Sequence, residues 1–305
     1  MQPAAAPGAR PQKVLVGAYL RQVPEIDVKS NTYLADFYLW FKWKGDLDPT
    51  RTWEFTNAVE TWDVFKAATY DEPEILEDGS RYQIYHVQGR FAHPFPLHDY
   101  PFDEQDIVIE IEDSTNQADT LAFVLDQGSN YHPSIAIPGW ELKKVNPTVS
   151  VAHYDTNFGD PRVPPGGDSY SRFTFSVRIA RPVVGYLIKT ILPIAIVILI
   201  TFVVFLISSK YFEGRLGLAI TSLISAVALQ LTSSSDLPSV GYMVLLDKVY
   251  NVSYAVIFLT LLESMIVVRF ADEGREALAR KIDRFALGGL SVLFFGGIAA
   301  IILLR

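Results

Sequence analysis

Residues 182–208 read PVVGYLIKTILPIAIVILITFVVFLIS, and the architecture turns on this run. It carries one charge, Lys189, and exceeds the ~20 residues that take a helix across about 30 Å of hydrocarbon. Three further apolar stretches follow. Residues 213–235 lack charge after Glu213 and Arg215 but hold Thr221, Ser222, Ser225, Gln230 and Thr232. Residues 242–270 enclose Asp247, Lys248 and Glu263, and residues 284–304 are charge-free after Arg284. The expectation is a transmembrane domain over 182–305 with four helices, at about 182–208, 213–235, 242–270 and 284–304.

The loops between these spans set an orientation. Lys210 and Arg215 lie between the first and second, and Arg269, Arg275, Arg280, Lys281 and Arg284 between the third and fourth. Residues 233–241, between the second and third, have neither Lys nor Arg. Because cytoplasmic loops carry the excess of Lys and Arg, the first and third loops belong inside. Four crossings then return both ends, and all of residues 1–181, to the outside.

Composition agrees with two unlike halves. Residues 1–181 hold 16 Lys and Arg against 26 Asp and Glu; residues 182–305 hold 10 against 8. No basic face points to nucleic acid. The absence of cysteine excludes thiol catalysis and thiolate metal sites, and a front half of this size can bury a core without disulfides. Residues 1–10 are Ala/Pro-rich with no apolar run, so export requires a signal already removed. Additional domains before residue 12 stay open. No Gly-x-Ser-x-Gly, phosphate loop or His-Glu-x-x-His is present, so no enzyme activity is expected. The Gly288-Gly289 and Gly296-Gly297 pairs read as packing glycines of a membrane helix.

Residues 12–181 read as β. Alternation runs through residues 33–43 (YLADFYLWFKW), 82–88 (YQIYHVQ), 107–112 (IVIEIE) and 173–179 (FTFSVRI), with turn clusters at 45–49, 77–79 and 157–168. This pattern predicts an antiparallel, immunoglobulin-like sandwich of about ten strands over 12–181.

Residues 98–107 read HDYPFDEQDI, and Arg181 follows just before the first span. Tyr100-Pro101-Phe102-Asp103 resembles the Phe-Pro-Phe-Asp core of the Cys-loop in pentameric ligand-gated ion channels. The cysteines that close that loop in animal receptors would fall at His93 and Ile107, so the chain is similar to the prokaryotic branch, which lacks the disulfide. The likeness continues through Pro193 in the first span, Glu213-Gly214-Arg215 before the second, Asp236-Leu237-Pro238 and Tyr242 after it, and a short linker over 271–283. It implies a homopentamer of multi-pass subunits in a bacterial inner (plasma) membrane. Its partners would be four identical subunits, membrane lipid, permeant cations and an extracellular agonist of unknown identity.

The second span has its own pattern. Glu213, Gly217, Thr221, Ile224, Ala228, Leu231 and Ser235 fall on one helical stripe, small or polar at the inner end and apolar in the middle. A helix packed in a bundle could carry the same stripe. The resemblance implies pore lining instead, with a cation-favouring ring of Glu213 and an apolar constriction above it. Anion-selective relatives carry Pro-Ala-Arg where this chain has Glu213-Gly214-Arg215, so cation conduction is expected. Arg215 could offset the charge of Glu213.

The resemblance also assigns Asp27, Lys29, Tyr100, Pro101, Phe102, Asp103, Arg181, Pro238 and Tyr242 to coupling between sandwich and pore, with Asp103 and Arg181 as a partly buried pair. The ligand site is less legible. Candidate aromatics are Trp62, Tyr70, Tyr131, Phe158 and Tyr170, with Trp40 or Trp43 from the opposite face. Residues 113–116 lack an aromatic where relatives bind amines by cation–π contact, which argues against an amine agonist. Asp71, Glu72 and Glu74, within an acidic loop, could bind Ca²⁺ as a modulator. Histidines 86, 93, 98, 132 and 153 could sense pH. No cofactor is expected.

The leading expectation is thus a ligand-gated, cation-selective channel opened by a small ligand, Ca²⁺ or protons. The rival is a non-conducting binding module on a four-helix anchor. Thr221, Ser225 and Gln230 on the second span argue against the rival, since unpaired polar groups are costly in hydrocarbon.

Overall fold

The computed structural model describes residues 10–157, 159, 167–235 and 237–303. Phe158 and Asp236 lie outside the described residues. The chain forms two compact units. One takes the chain up to Phe95 with Glu104–Ala180; the other takes Pro96–Asp103 with the chain from Arg181 onward.

The first unit is a sandwich of eleven strands. One sheet runs β4 (Phe65–Ala68), β6 (Arg81–Ala92), β2 (Thr32–Trp43), β1 (Gln12–Asp27), β8 (Leu121–Leu125), with β5 (Glu74–Ile75) on β6 and β9 (Asn130–Tyr131) on β1. The other runs β10 (Glu141–Tyr154), β11 (Asp168–Ala180), β7 (Glu104–Asp113), β3 (Trp53–Phe55). The four alternating stretches read from sequence all lie in strands. The sheets are not wholly antiparallel, however: β1 pairs in parallel with β8 and β9.

Alternation decides which side chains meet inside. On β2, Tyr33, Ala35, Phe37, Leu39, Phe41 and Trp43 are all buried, and they meet Ile107, Ile109, Ile111, Phe173, Phe175 and Val177 from the second sheet. The core is held by polar bonds as well as by area. The Tyr33 hydroxyl donates to the Val108 carbonyl and accepts the Val108 N–H at 2.8 Å, tying β2 to β7. Burial pushes the Tyr33 phenol well above its ordinary range, so it stays a neutral donor.

The second unit holds four helices, each long and apolar enough to cross a membrane: α1 (Val183–Leu206), α2 (Phe212–Ser234), α3 (Leu245–Asp272) and α4 (Glu276–Leu303). In α1 the turn Leu187–Ile191 is π-helical, directly before Pro193, whose missing N–H cannot extend a regular ladder. The expected linker over 271–283 is mostly helix instead. Only Glu273, Gly274 and Arg275 break α3 from α4, with Gly274 at φ +80. Good helix formers in EALARKIDR, and a Glu276–Arg280 pair at 3.4 Å, carry α4 back to Glu276. Of the four glycines in α4, only Gly297 has a neighbour within contact range of a Cβ, Val252 at 3.4 Å.

Replacing Tyr33 by Phe strands the buried Val108 N–H. A loss of about 1–3 kcal/mol is expected. It would be read as a lower unfolding midpoint of the full chain in detergent, followed by tryptophan fluorescence.

Candidate functional site

The loop Pro96–Asp103 (PLHDYPFD) lies between β6 and β7 in sequence but belongs to the helical unit. Its main chain caps α3. A helix start leaves its first N–H groups without intrahelical acceptors. Here the Leu245 N–H donates to the His98 carbonyl at 2.8 Å and the Leu246 N–H to the Tyr100 carbonyl at 3.2 Å. Just before α3, Tyr242 accepts the Leu97 N–H on its hydroxyl at 3.1 Å and stacks its ring on His98, with centroids 3.9 Å apart and planes 5° off parallel. The Tyr100–Pro101 peptide is cis. Phe102 is buried, and Pro238 lies in the loop between α2 and α3.

Asp103 and Arg181 meet in this unit. The Arg181 Nε donates to Asp103 Oδ1 at 2.8 Å, with side chains only 8% and 2% exposed. The Arg181 Nη1 donates to the Tyr186 hydroxyl at 2.8 Å, and the guanidinium lies over the rings of Tyr100 and Tyr186 at 5.0 and 5.2 Å. The cation therefore has a carboxylate, a hydroxyl and two π faces around it, which offsets much of its desolvation. In sequence these two residues directly adjoin Glu104 and Ala180, the last register partners of the β7–β11 ladder. Asp27 is used within its own turn. It accepts the Lys29 N–H at 2.9 Å and the Ser30 hydroxyl at 2.8 Å, and the Ser30 hydroxyl holds its carboxyl below the usual range.

On α2, Glu213, Gly217, Thr221, Ile224, Ala228 and Leu231 are all exposed, as is Ser235 just past its end, whereas Arg215, Ala219, Ser222 and Ala226 are buried on the opposite face. Arg215 does not offset Glu213. It turns inward to Glu263 on α3 at 3.5 Å and to Asp283 on α4. The hydroxyls of this helix are less needy than expected. Thr221, Ser225 and Thr232 donate to the carbonyls of Gly217, Thr221 and Ala228 at 2.8–2.9 Å. Gln230 accepts the Tyr254 hydroxyl at 2.6 Å, within the bundle. Unpaired polar groups thus no longer count against an anchor; the one-sided exposure of the stripe is the observation that remains.

The sandwich carries an open cavity of about 570 Å³ where β3, the end of β7 and the β10–β11 hairpin come together. Phe55, Tyr154 and Tyr170 line it with Glu54, Glu112, Asp113 and Asp168. Arg172 is the counter-charge, donating to Glu112 at 2.5 Å and to the Tyr154 hydroxyl at 3.1 Å. Tyr170 donates to Asp168 at 3.1 Å; burial, then that carboxylate, pushes its phenol up to about 12. Burial, with Glu112 nearby, raises the Glu54 carboxyl, while burial lowers the ammonium of Lys66, which lies over the Trp53 and Phe55 rings at 4.0 and 5.0 Å. Four carboxylates beside aromatic faces suit a cation.

Of the four described aromatics expected at a ligand site, Trp62, Tyr70, Tyr131 and Tyr170, the cavity holds Tyr170. Trp62 stands 85% exposed, Tyr70 rests on Tyr82, and Tyr131 sits in β9. Trp43 is core, and Trp40 donates to Asp126 at 3.0 Å. Tyr154, Phe55 and Glu54 were missed. Tyr154 could have been found, since it and Tyr170 flank the 157–168 turn and Tyr154 faces Asp168 across the hairpin. Asp71, Glu72 and Glu74 do not converge: among the described residues no group of three His, Asp or Glu is placed to hold a metal ion.

Among the histidines, His86 has an unusual position. Its Nε2 lies 2.9 Å from Asp36 Oδ1 and 3.0 Å from Arg21 Nη1. One ring nitrogen cannot donate to the carboxylate and accept from the guanidinium at once.

No family model matches the chain. It is similar to a proton-gated ion channel of Gloeobacter violaceus, 21% identical over 93% of this chain and 80% of that protein. It is also similar to γ-aminobutyric acid receptor β subunits. One from Caenorhabditis elegans is 25% identical over 86% of this chain and 49% of its own length. A β-like subunit from Drosophila melanogaster is 25% identical over 55% of this chain and 32% of its own length. The chain therefore spans most of the Gloeobacter protein and half or less of the two animal subunits.

If the buried pair is a unit, Asp103→Asn and Arg181→Gln should each cost about 3–5 kcal/mol by stranding a charge. The double variant should recover about 1–3 kcal/mol of the summed loss. Unfolding midpoints of the four proteins give the coupling; strict additivity would mean the two charges do not act together.

Proposed function

We propose that five copies of this chain, which belongs to the superfamily of pentameric Cys-loop ligand-gated ion channels, assemble around α2 into a cation-selective pore opened by an extracellular signal. The observation that carries this reading is the face of α2. Six of its positions at helical spacing, with Ser235 just past its end, are all exposed, while Arg215, Ala219, Ser222 and Ala226 on the opposite face are buried. A ring of Glu213 would concentrate cations at the inner mouth. Rings of Ile224, Ala228 and Leu231 would form an apolar constriction that closes by losing its water.

The signal would enter at the acidic cavity. Glu112 on β7 pairs in register with Arg172 on β11, and the same ladder runs to Glu104 and Ala180. Eight residues of strand span about 27 Å. Asp103 and Arg181 come next in sequence, and the loop holding Asp103 caps α3. A cation drawn to Glu112, Asp113 and Asp168 can thus bias the ladder, and through it the α3 cap. It must bind the open arrangement more tightly than the closed one.

Protons are a second trigger, favoured by His86. Neutral Nε2 accepts from Arg21; protonated, it donates to Asp36 and repels Arg21. Asp36 also accepts Gln88 at 2.9 Å, and Tyr38 and Phe65 pack on the imidazole. Arg21 and Asp36 are the charged groups against the ring.

Currents in planar bilayers under a reversed salt gradient test the pore. Cation selectivity is expected, reduced several-fold by Glu213→Gln, with a larger resting leak in Ile224→Ser. Pentamers that pass no current under any cationic ligand or pH step would support the anchored binding module instead. A second measurement addresses the proton reading. Stepping the outer solution from pH 7.5 to 5 should change the current in the parent chain and leave His86→Gln unresponsive.

A further inference from the structure

Three charges from three helices are buried together: Arg215 on α2, Glu263 on α3 and Asp283 on α4. The Arg215 Nη2 donates to Glu263 Oε2 at 3.5 Å and to Asp283 Oδ1. The Arg215 side chain is 0% exposed, against 9% and 14% for the two acids. Helical spacing explains Glu263, which shares the buried stripe of α3 with Val256, Thr260 and Val267. The start of α4 at Glu276 explains Asp283, which a linker over 271–283 would leave unplaced.

The cluster is poorly built for stability. Arg215 Nε and Nη1, Glu263 Oε1 and the Ser264 hydroxyl have no hydrogen-bond partner among the described residues. Buried donors without acceptors cost free energy, and a buried ion pair is often no more stabilising than apolar side chains of the same volume. What the three residues do achieve is a charge balance. Two carboxylates stand against one guanidinium, so its charge is at least cancelled. Glu276, the other acid of α4, is engaged by Lys210 at 3.8 Å and by Arg280 at 3.4 Å.

The balance matters because of where Arg215 stands. Two residues of helix rise only about 3 Å, so its charge lies close behind the ring of Glu213. Five uncancelled guanidiniums there would match five carboxylates. Their field would reach the mouth through protein, where salt screens it far less than in solution. Lys210 and Arg280, by contrast, have side chains 75% and 65% exposed and within reach of screening ions.

We propose that Glu263 and Asp283, neither of them on the pore face, determine ion selectivity: by cancelling Arg215 they leave Glu213 to hold the inner mouth negative. The inference rests on the pore reading above. Both acids act through Arg215, as positioning residues for its charge, without touching the permeant ion.

The test is the reversal potential of full-length pentamers in planar bilayers under a KCl gradient, a quantity independent of the number of channels. Glu263→Gln/Asp283→Asn strands Arg215 as an uncancelled cation; adding Arg215→Gln removes all three charges. The double variant should lose cation-over-anion permeability by about tenfold. The triple variant should hold close to the parent's ratio, and Arg215→Gln alone should stand at or above it. A double variant as selective as the parent, or a triple variant that loses as much as the double, would overturn the proposal and leave the cluster a packing role. If the stranded guanidinium keeps the double variant from forming pentamers, the other two decide. A triple variant that falls to the level of Glu213→Gln, or an Arg215→Gln ratio below the parent's, overturns the proposal. Recording Glu213→Gln alongside separates the two readings. Selectivity lost in Glu213→Gln but kept in the double variant contradicts this inference and leaves the pore standing. A parent without cation current contradicts the pore reading itself.

Discussion

The buried pair of Asp103 and Arg181 is the interaction on which the helical unit depends. Two opposite charges held at 8% and 2% exposure are tolerable only with each other and with further partners, and Tyr186, Tyr100 and the pair itself supply them. Holding Asp103 fixes the end of the loop Pro96–Asp103. That loop in turn supplies the carbonyls of His98 and Tyr100 that cap α3. An eight-residue stretch placed by sequence among strands is thus committed to the helices. In sequence Asp103 directly precedes β7 and Arg181 directly follows β11.

The second constraint is the asymmetry of α2. Its buried face is small and carries one guanidinium, Arg215, shared between Glu263 and Asp283 on two other helices. Its exposed face mixes glycine, threonine and aliphatic residues. In hydrocarbon such a face needs no polar atoms. Its hydroxyls fold back on their own backbone, so they neither forbid lipid nor require water. What distinguishes the face is its order: carboxylate at one end, small residues next, then larger apolar ones.

Much of this was legible in the sequence. The helices announce themselves because a bilayer demands long apolar runs, and β2, β6, β7 and β11 because each has one face in the core. The start of α4 was misplaced, since hydropathy finds the membrane and not the helix, and Arg280, Lys281 and Arg284 look like linker until Glu276 pairs with Arg280. The parallel pairing of β1 with β8 and β9 departs from the antiparallel expectation because alternation carries no strand direction. The acidic cavity was largely invisible. Glu54, Glu112, Tyr154 and Asp168 come from four separated segments, and only register brings them together. Trp62, a candidate as an aromatic, is in solvent.

The chain contains no cysteine, so single cysteines introduced into α2 can be modified without background. The most direct test of the account is block of the current by a charged, water-soluble thiol reagent at Thr221→Cys, Ile224→Cys and Ala228→Cys, against Ala219→Cys and Ala226→Cys on the buried face. Block confined to the first three is the predicted result. Equal modification of both faces, or none on either while current flows, would contradict the claim that this face of α2 lines the pore.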